Sequence, residues 1–515
     1  MGPRGGQAVL ALLWLLAHIE PRQCLNVLVI MGHPGKSHFD AFAALFNELA
    51  DQGHNLTILS HVKPRNSRNI RSVPLRESQP MLHAIDLTKV GDRGVAFPYK
   101  QLKLLRQFAF DNCPVDLQRP QLRAFLEEKN HYDVILGEMF NTLCYDGMIR
   151  KFEAPFIGLS SCSLLPWQYG WYGIPYNPAY LQTLLGGFRA PMSFMDRVSN
   201  ALTHYVTVFW YYLTMDGAAK DYSRYYLGLE PADPRNVSLV LVNSHYVIDG
   251  IMPLPPNVIE VGGLHLGKNR KPQPLPMDIE DWINNSDAGV IYFSLGSMIK
   301  SDTFPEEQLR AFIRAFAKLP QRVLWKWEND TMLDKPDNVM IRKWMPQFDI
   351  LCHSNVKLFI SHGGSLGTME AVHCGVPIVA MPQFGDQLHN SHAIQNSKAG
   401  LVLHLQSATE EAITETLQRA LSVESRNEAK LVSKKFTSRP LHPLDTAIFW
   451  IEHIAKFKGA EHMRSPGIDL PFYQYYLLDV LAFIALVAVA LIFVIYKVAK
   501  GVLCRPNQAV KYKPL

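Results

Sequence analysis

The sequence predicts an α/β protein of two domains followed by one membrane-spanning helix, and three observations carry that prediction. Apolar runs of strand length, Leu25 to Met31 and Val356 to Ile360, each lead into a glycine-containing turn and a helical segment, as strands buried in a parallel sheet do. The 515 residues exceed what one hydrophobic core usually serves. Near the carboxyl end, Leu477 to Tyr496 is an almost uninterrupted apolar segment of the length that crosses a bilayer's hydrocarbon core. The apolar and charged fractions are ordinary for a globular protein. The net charge of +5 is small for this length and the basic residues form no stripe interleaved with aromatics, which speaks against a nucleic-acid partner.

Arg4 precedes the apolar run Ala8 to Ala17 and a polar stretch follows, the order of a secretory signal peptide. Residues 1–24 are assigned to it, with cleavage expected between Glu20 and Leu25. The first α/β half, 25–250, opens with the strand Leu25 to Met31. The loop GHPGKSHFD then places His33 and His38 at the strand's carboxyl end, where ligands sit in open α/β sheets. Farther on, HYDVILGEMFNTLC carries Asp133 and Glu138, with Asp146 just beyond. Ala201 to Tyr226 reads as helical and crowded with aromatics. Core packing is the first expectation for it, and an apolar acceptor pocket or a membrane interface the alternative.

Cys113, Cys144, Cys162, Cys352 and Cys374 are odd in number, scattered and without a CxxC, so buried free thiols are expected rather than disulfides or a zinc site. Asn-x-Ser/Thr sequons stand at Asn55, Asn236, Asn284 and Asn329.

Prolines punctuate Met252 to Met277, so residues 251–277 read as a linker and 278–440 as the second domain, without internal repeats. The densest chemistry lies between Trp344 and Gln387. After the strand Val356 to Ile360, the turn Ser361, His362, Gly363, Gly364 opens a helix from Ser365 to Val372 whose first N–H groups lack intrahelical partners. Such an end attracts phosphate. Gly363, Gly364 and Gly367 let a diphosphate approach the backbone, and His362 and Ser365 add donors. Glu370, on the same helix, suits the two hydroxyls of a ribose. Upstream, Trp344 offers a flat face for a uracil ring and Gln347 an amide for its edge. After a second buried strand, Val376 to Met381, Asp386 and Gln387 emerge where sugar hydroxyls would be read. A Gly-Gly turn before a helix is common in α/β proteins, but the combination describes a UDP-sugar site.

Residues 441–472 include the helical stretch Leu444 to Phe457. Tyr473, Tyr475, Tyr476 and Tyr496 flank the apolar span 477–496 as interfacial aromatics do, with Asp479 near its boundary. In the tail 497–515, Lys497, Lys500, Arg505, Lys511 and Lys513 stand without an acidic residue. The positive-inside rule therefore places the tail in the cytosol and the body in the lumen. Lys511 and Lys513 have the spacing of a dilysine endoplasmic-reticulum retrieval signal.

Together with PNVIEVGGL, IYFSLGSM, HPLDTAIFWIEHI and DLPFYQYYLLDV, in this order along the chain, the Trp344 to Gln387 stretch closely resembles the signature of the UDP-glycosyltransferase family that includes the membrane-bound UDP-glucuronosyltransferases. The resemblance covers nearly the whole chain. It implies a GT-B fold, two Rossmann-like domains facing a cleft, with the last helical part packing back on the first domain. It implies Ser297 as a diphosphate contact. It also implies His38, of the Ser37-His38 motif, as the base that takes the acceptor's proton, a task suited to a neutral imidazole. The position that carries the orienting Asp in the vertebrate enzymes holds Glu138, with Asp146 as the nearest substitute. Two further departures bear on the donor. Met252 stands where the glucuronosyltransferases have an Arg that can pair with the glucuronate carboxylate, and Leu366 where they usually have an Asn.

The expected enzyme is thus an inverting hexosyltransferase, with no metal and no cofactor besides the UDP-sugar co-substrate, since no Asp-x-Asp motif occurs. UDP-glucose is favoured over UDP-glucuronate, and the acceptor is expected to be a small lipophilic hydroxyl compound such as a phenol, flavonoid or steroid. A catalytically silent binding protein and a membrane-lipid glycosyltransferase are the competing readings. Self-association is left open.

Overall fold

The computed structural model describes residues 24–75, 85–89, 97–188, 191–268 and 270–503. The proposed signal peptide up to residue 23 and the tail residues Arg505, Lys511 and Lys513 lie outside them. The apolar runs become strands in chain order: β1 (Asn26–Met31), β2 (Asn55–Ser60), β3 (Ile70–Pro74), β4 (Ile85–Asp86), β5 (Val134–Glu138), β6 (Phe156–Ser160), β7 (Leu239–Val242) and β8 (Val258–Glu260). The second half adds β9 (Val290–Ser294), β10 (Ile299–Lys300), β11 (Arg322–Lys326), β12 (Val339–Arg342), β13 (Val356–Ser361), β14 (Ile378–Ala380) and β15 (Gly400–Val402).

Two parallel sheets result, in the orders β3-β2-β1-β5-β6-β7-β8 and β12-β11-β9-β13-β14-β15. The inner strands β5, β6, β7 and β9 are buried along their whole length, which is why their sequences are largely apolar without alternation. Each sheet carries an apolar core on both faces. The helix Pro443–Phe457 sends Leu444, Ala447, Ile448, Ile451 and Ile454 into a core of the first sheet, beside Phe42 and Leu45 of the helix Lys36–Asp51. The short strands β4 and β10 pair with each other and tie the first half to the second, and Ile85 and Leu87 are buried in a second-domain core.

The structure differs from the sequence reading in four places. The stretch assigned as linker, 251–277, contains β8, which extends the first sheet through pairing with β7, so the crossing to the second domain begins only after Glu260. The helix that starts at Ser365 runs on to Cys374 and ends at Gly375 (φ +69°). The Val376 N–H closes back on the Ala371 carbonyl, and β14 begins only at Ile378. The cysteines are not all free. Cys113 is bonded to Cys144 and Cys352 to Cys374, leaving Cys162 as a buried thiol. Their separations of 31 and 22 residues follow no sequence pattern, because the folded helices bring them together. The aromatic helix Phe194–Tyr211 and its continuation are only partly core. Tyr211 and Met215 are buried, while Phe194, Leu202, Val206, Phe209 and Leu213 face outward.

The segment from Ser465 onward forms a separate unit. It contains the helix Leu478–Leu503, of which 24 residues, Leu478–Gly501, are apolar enough to cross a membrane. At 1.5 Å per residue that stretch is about 36 Å long, more than the hydrocarbon thickness.

Candidate active site

Parallel neighbours end at the same edge of a sheet, and this places the first-domain residues. β1 pairs with β5 through Ile30 and Gly137. The loop after β1 therefore brings His38, in the first turn of the helix Lys36–Asp51, over Glu138, the last residue of β5. His38 Nδ1 lies 2.5 Å from Glu138 Oε1, and the carboxylate is fully buried while the imidazole is partly exposed. With Nδ1–H donating to the carboxylate, the other ring nitrogen carries the lone pair. Glu138 is thus the acid that meets His38. Asp146 is buried elsewhere and held well above the usual carboxyl range by desolvation, and Asp133 accepts the Asn26 N–H at the opposite end of the strand.

The sequence reading missed Ser161. It follows β6, and its hydroxyl lies 2.7 Å from His38 Nδ1 and 3.3 Å from Glu138 Oε1. Its place just beyond a parallel strand was the available signal.

Across the cleft, β13 pairs with β9 through Ser361 and Ser294, so the loops after them meet. His362 packs against both glycine turns. A Cβ on Gly296 would lie 2.6 Å from its Cε1, and one on Gly364 2.4 Å from its Nε2, so neither position has room for a side chain. Burial, then the charge of Lys326, holds His362 down to about 4, so the ring is neutral near pH 7. Its Nδ1 is buried without a hydrogen-bond partner among the described residues. The helix that starts at Ser365 has no side-chain cap, which leaves its amino end open.

One cavity of about 710 Å³ is lined from both domains. His38 and Phe140 stand on one side, and Ser297, Trp344, Gln347, His362, Gly364, Ser365, Gly367, Glu370, Asp386 and Gln387 on the other. Gln347 Nε2 donates to Glu370 Oε2 at 2.6 Å, and burial raises the Glu370 carboxyl above its ordinary range. Trp344 is 61% exposed, so its ring is open to a stacking partner. The Gln387 side-chain oxygen Oε1 accepts the Gln383 N–H at 2.9 Å, which leaves the side-chain amide nitrogen for a ligand. Asp386 accepts from Asn390 Nδ2 at 3.0 Å, and its carboxyl is raised by burial.

Two sequence assignments do not survive this geometry. Gly363 is not in the lining. It makes the turn at φ +81°, its N–H bound to Ser361 Oγ and its carbonyl to Asn390. Met252 is also outside the cleft. It packs against a first-domain core and lines a separate cavity of about 360 Å³, so the lack of charge there does not bear on the sugar. Lys326, at the end of β11, was missed. It lines the cavity, is 3% exposed and pairs with Glu328 at 2.6 Å.

A cleft between two parallel-sheet domains, with a His–carboxylate pair on one wall and an uncapped helix end on the other, is the arrangement of a GT-B glycosyltransferase. The solved structures agree. The glycotransferase of kitacinnamycin aligns with a TM-score of 0.54 at 17% identity, over 83% of this chain and 98% of that one. CalG4, the calicheamicin glycosyltransferase, aligns with a TM-score of 0.51, also at 17% identity, over 84% and 99%. By sequence, UDP-glycosyltransferase UGT5 of Dactylopius coccus is 35% identical over 96% of this chain and 95% of its own length. UDP-glucuronosyltransferase 2B17 of Rattus norvegicus is 31% identical over 87% and 88%. Residues 27–511 match the family described as UDP-glucoronosyl and UDP-glucosyl transferase. The chain belongs to that family and is a UDP-glycosyltransferase.

Proposed function

We propose that this enzyme transfers glucose from UDP-glucose, with inversion, to a hydroxyl of a small lipophilic acceptor, and the observation that carries the reading is the 2.5 Å contact between His38 and Glu138. The free nitrogen of His38 removes the acceptor's proton as the acceptor oxygen bonds to the anomeric carbon. The bond from that carbon to the phosphate oxygen breaks, and UDP leaves on the opposite face, which inverts the configuration. Glu138 stabilises the imidazolium that forms. On the leaving side, the helix end at Ser365, the His362 N–H, Ser297 and the Lys326 ammonium balance the diphosphate charge, and this supports a mechanism without a metal ion. Trp344 and Gln347 hold the uracil, Glu370 the ribose, and Asp386 and Gln387 the sugar hydroxyls.

The choice of glucose rests on the charge around the sugar end. Asp386 and Glu138 both lie near the Cys162 thiol, which burial and then these carboxylates push up. A glucuronate carboxylate beside Asp386 would be repelled, and Leu366 gives it no hydrogen bond. One relative carries the name UDP-glucosyltransferase 2 (Dactylopius coccus, 34% identical), although others are named as glucuronosyltransferases. Leu104, Leu105, Leu184 and Leu185 line the acceptor side, which suits an apolar molecule. With the C-terminal span and its basic flank, the catalytic body belongs in the endoplasmic-reticulum lumen, where the four sequon asparagines, all exposed, are open to glycosylation.

The test is UDP release from microsomes carrying the full chain, with UDP-glucose or UDP-glucuronate and a panel of phenols and steroids, beside His38→Ala. Acceptor-dependent release from UDP-glucose that His38→Ala abolishes is the expected result. Release from UDP-glucuronate alone overturns the donor assignment, and UDP binding without release under any condition favours a silent binder.

A further inference from the structure

His33, five residues before His38, is used by nothing in the reaction above, yet it touches both His38 and Glu138. Its ring lies against that of His38 with centroids 3.8 Å apart and planes 20° apart. Its backbone N–H donates to Glu138 Oε2 at 3.2 Å, the oxygen that His38 does not take. Its Nδ1 accepts the Gly35 N–H at 3.0 Å, so the neutral ring carries its proton on Nε2. Phe140 meets both imidazoles from the side, at 5.2 Å and 4.6 Å. Gly35 makes the stack possible, since a Cβ there would lie 2.9 Å from His33 Nδ1 and 3.2 Å from His38 Cδ2.

We propose that His33 is a positioning residue for the transfer reaction, its buried imidazole fixing the ring plane of His38 so that the free nitrogen stays aimed at the acceptor hydroxyl. The proposal rests on the reading of His38 as the base. A hydrogen bond from Nδ1 to Glu138 fixes one atom of the ring but leaves rotation about that bond soft, because the terminal torsion of His has broad wells. A flat neighbour at van der Waals distance removes that freedom. The charge state matters as well. His38 is faced by Glu138, Ser161, His33 and Asp386, and His33 by His38, His61 and Glu138. Burial first, and then the charges of His38 and His61, hold His33 well below the usual His range. The ring is therefore neutral when His38 becomes an imidazolium, and no second cation opposes proton transfer.

The test compares His33→Asn, which keeps a side-chain acceptor for the Gly35 N–H but removes the ring, with His33→Phe, which keeps a flat face but loses the acceptor. The readouts are kcat, the donor KM and UDP binding by calorimetry. We expect His33→Asn to lose about 10-fold or more in kcat with the donor KM unchanged, as misplacement of a reacting group does, and His33→Phe to recover most of that loss. Wild-type kcat in His33→Asn, equal losses in both variants, or a loss confined to KM each overturn the proposal. A variant that no longer binds UDP is replaced by Gly35→Ala, which forces the rings apart and should reproduce the kcat loss. His38→Ala in the same assay separates the two readings. Retained activity there removes the base assignment itself, whatever the His33 variants do.

Discussion

His38 and Glu138, 100 residues apart in sequence, meet at 2.5 Å because β1, which leads to His38, and β5, which ends at Glu138, are neighbours in one parallel sheet. The Glu138 side chain is fully buried, and its ionised form would be costly there without the N–H groups of His38 and His33. Replacing Glu138 by Gln keeps the shape but offers an amide in place of the charge. We expect kcat to fall about 100-fold or more, with UDP affinity by calorimetry unchanged, since the charge is needed only once the imidazolium forms.

Glu370 sits on the other wall, and the proposed function gives it a part in donor binding. Glu370→Ala should raise the donor KM about 10-fold or more while affecting kcat little, as loss of a buried acceptor costs about 1–3 kcal/mol. Burial raises its carboxyl above the ordinary range. Donor affinity should therefore weaken as pH falls, and begin to do so at a higher pH than an exposed glutamate would give. Isothermal titration with UDP across pH checks both points.

Gly364 has no room for a side chain, and its added Cβ would strike His362 Nε2. Gly364→Ala should displace the imidazole and weaken UDP binding about 10-fold or more, with little change in melting temperature because the position borders an open cavity. Wild-type affinity in this variant would show that His362 does not contact the diphosphate.

Asp249 gives a stability effect with a definite direction. Desolvation, opposed in part by the His245 N–H, raises its pKa from 3.8 to about 7, so between those values the folded state binds a proton that the unfolded state has lost. Its contribution is favourable at low pH and is lost as pH rises from about 4 to about 7. Asp249→Asn keeps the acceptor for His245 and removes the titration. It should be more stable than the native chain above pH 7, by roughly 2 kcal/mol at 1.4 kcal/mol per pKa unit after allowance for partial exposure, and no more stable below pH 4. Denaturant melts at the two pH values decide this.

The Cys113–Cys144 bridge ties the region after β5, which carries Glu138, to the preceding helical segment. The Cys113→Ser/Cys144→Ser double variant should lose about 4 kcal/mol of stability, in line with a loop of that length. Denaturant melts of the native chain and the double variant, both without reductant so that the Cys352–Cys374 bridge stays closed, check this.

Much of the second-domain wall of the cavity was legible because one βαβ unit carries it. Strand, glycine turn and helix are consecutive, so His362, Gly364, Ser365, Gly367 and Glu370 are placed by local geometry alone. Lys326 and Ser161 were not legible. Each stands at the end of a different strand, and only the strand order brings them to the cavity. The cysteine pairs escaped for the same reason, and Met252 misled because nearness in sequence to PNVIEVGGL is not nearness to the sugar.

By itself, then, the sequence determined the buried strands and the helices that follow them, the two-domain plan, the apolar C-terminal helix and the glycine turn before Ser365, since each depends on period, length and turn chemistry within a short stretch. Tertiary structure alone decided that His33 stacks on His38, that Ser161 and Lys326 reach the cavity, that Gly363 shapes a turn instead of lining the cleft, and which thiols pair. Those are contacts across tens to hundreds of residues, and they are set by the strand order and by which side chains share the carboxyl edge of each sheet, quantities that no local pattern records.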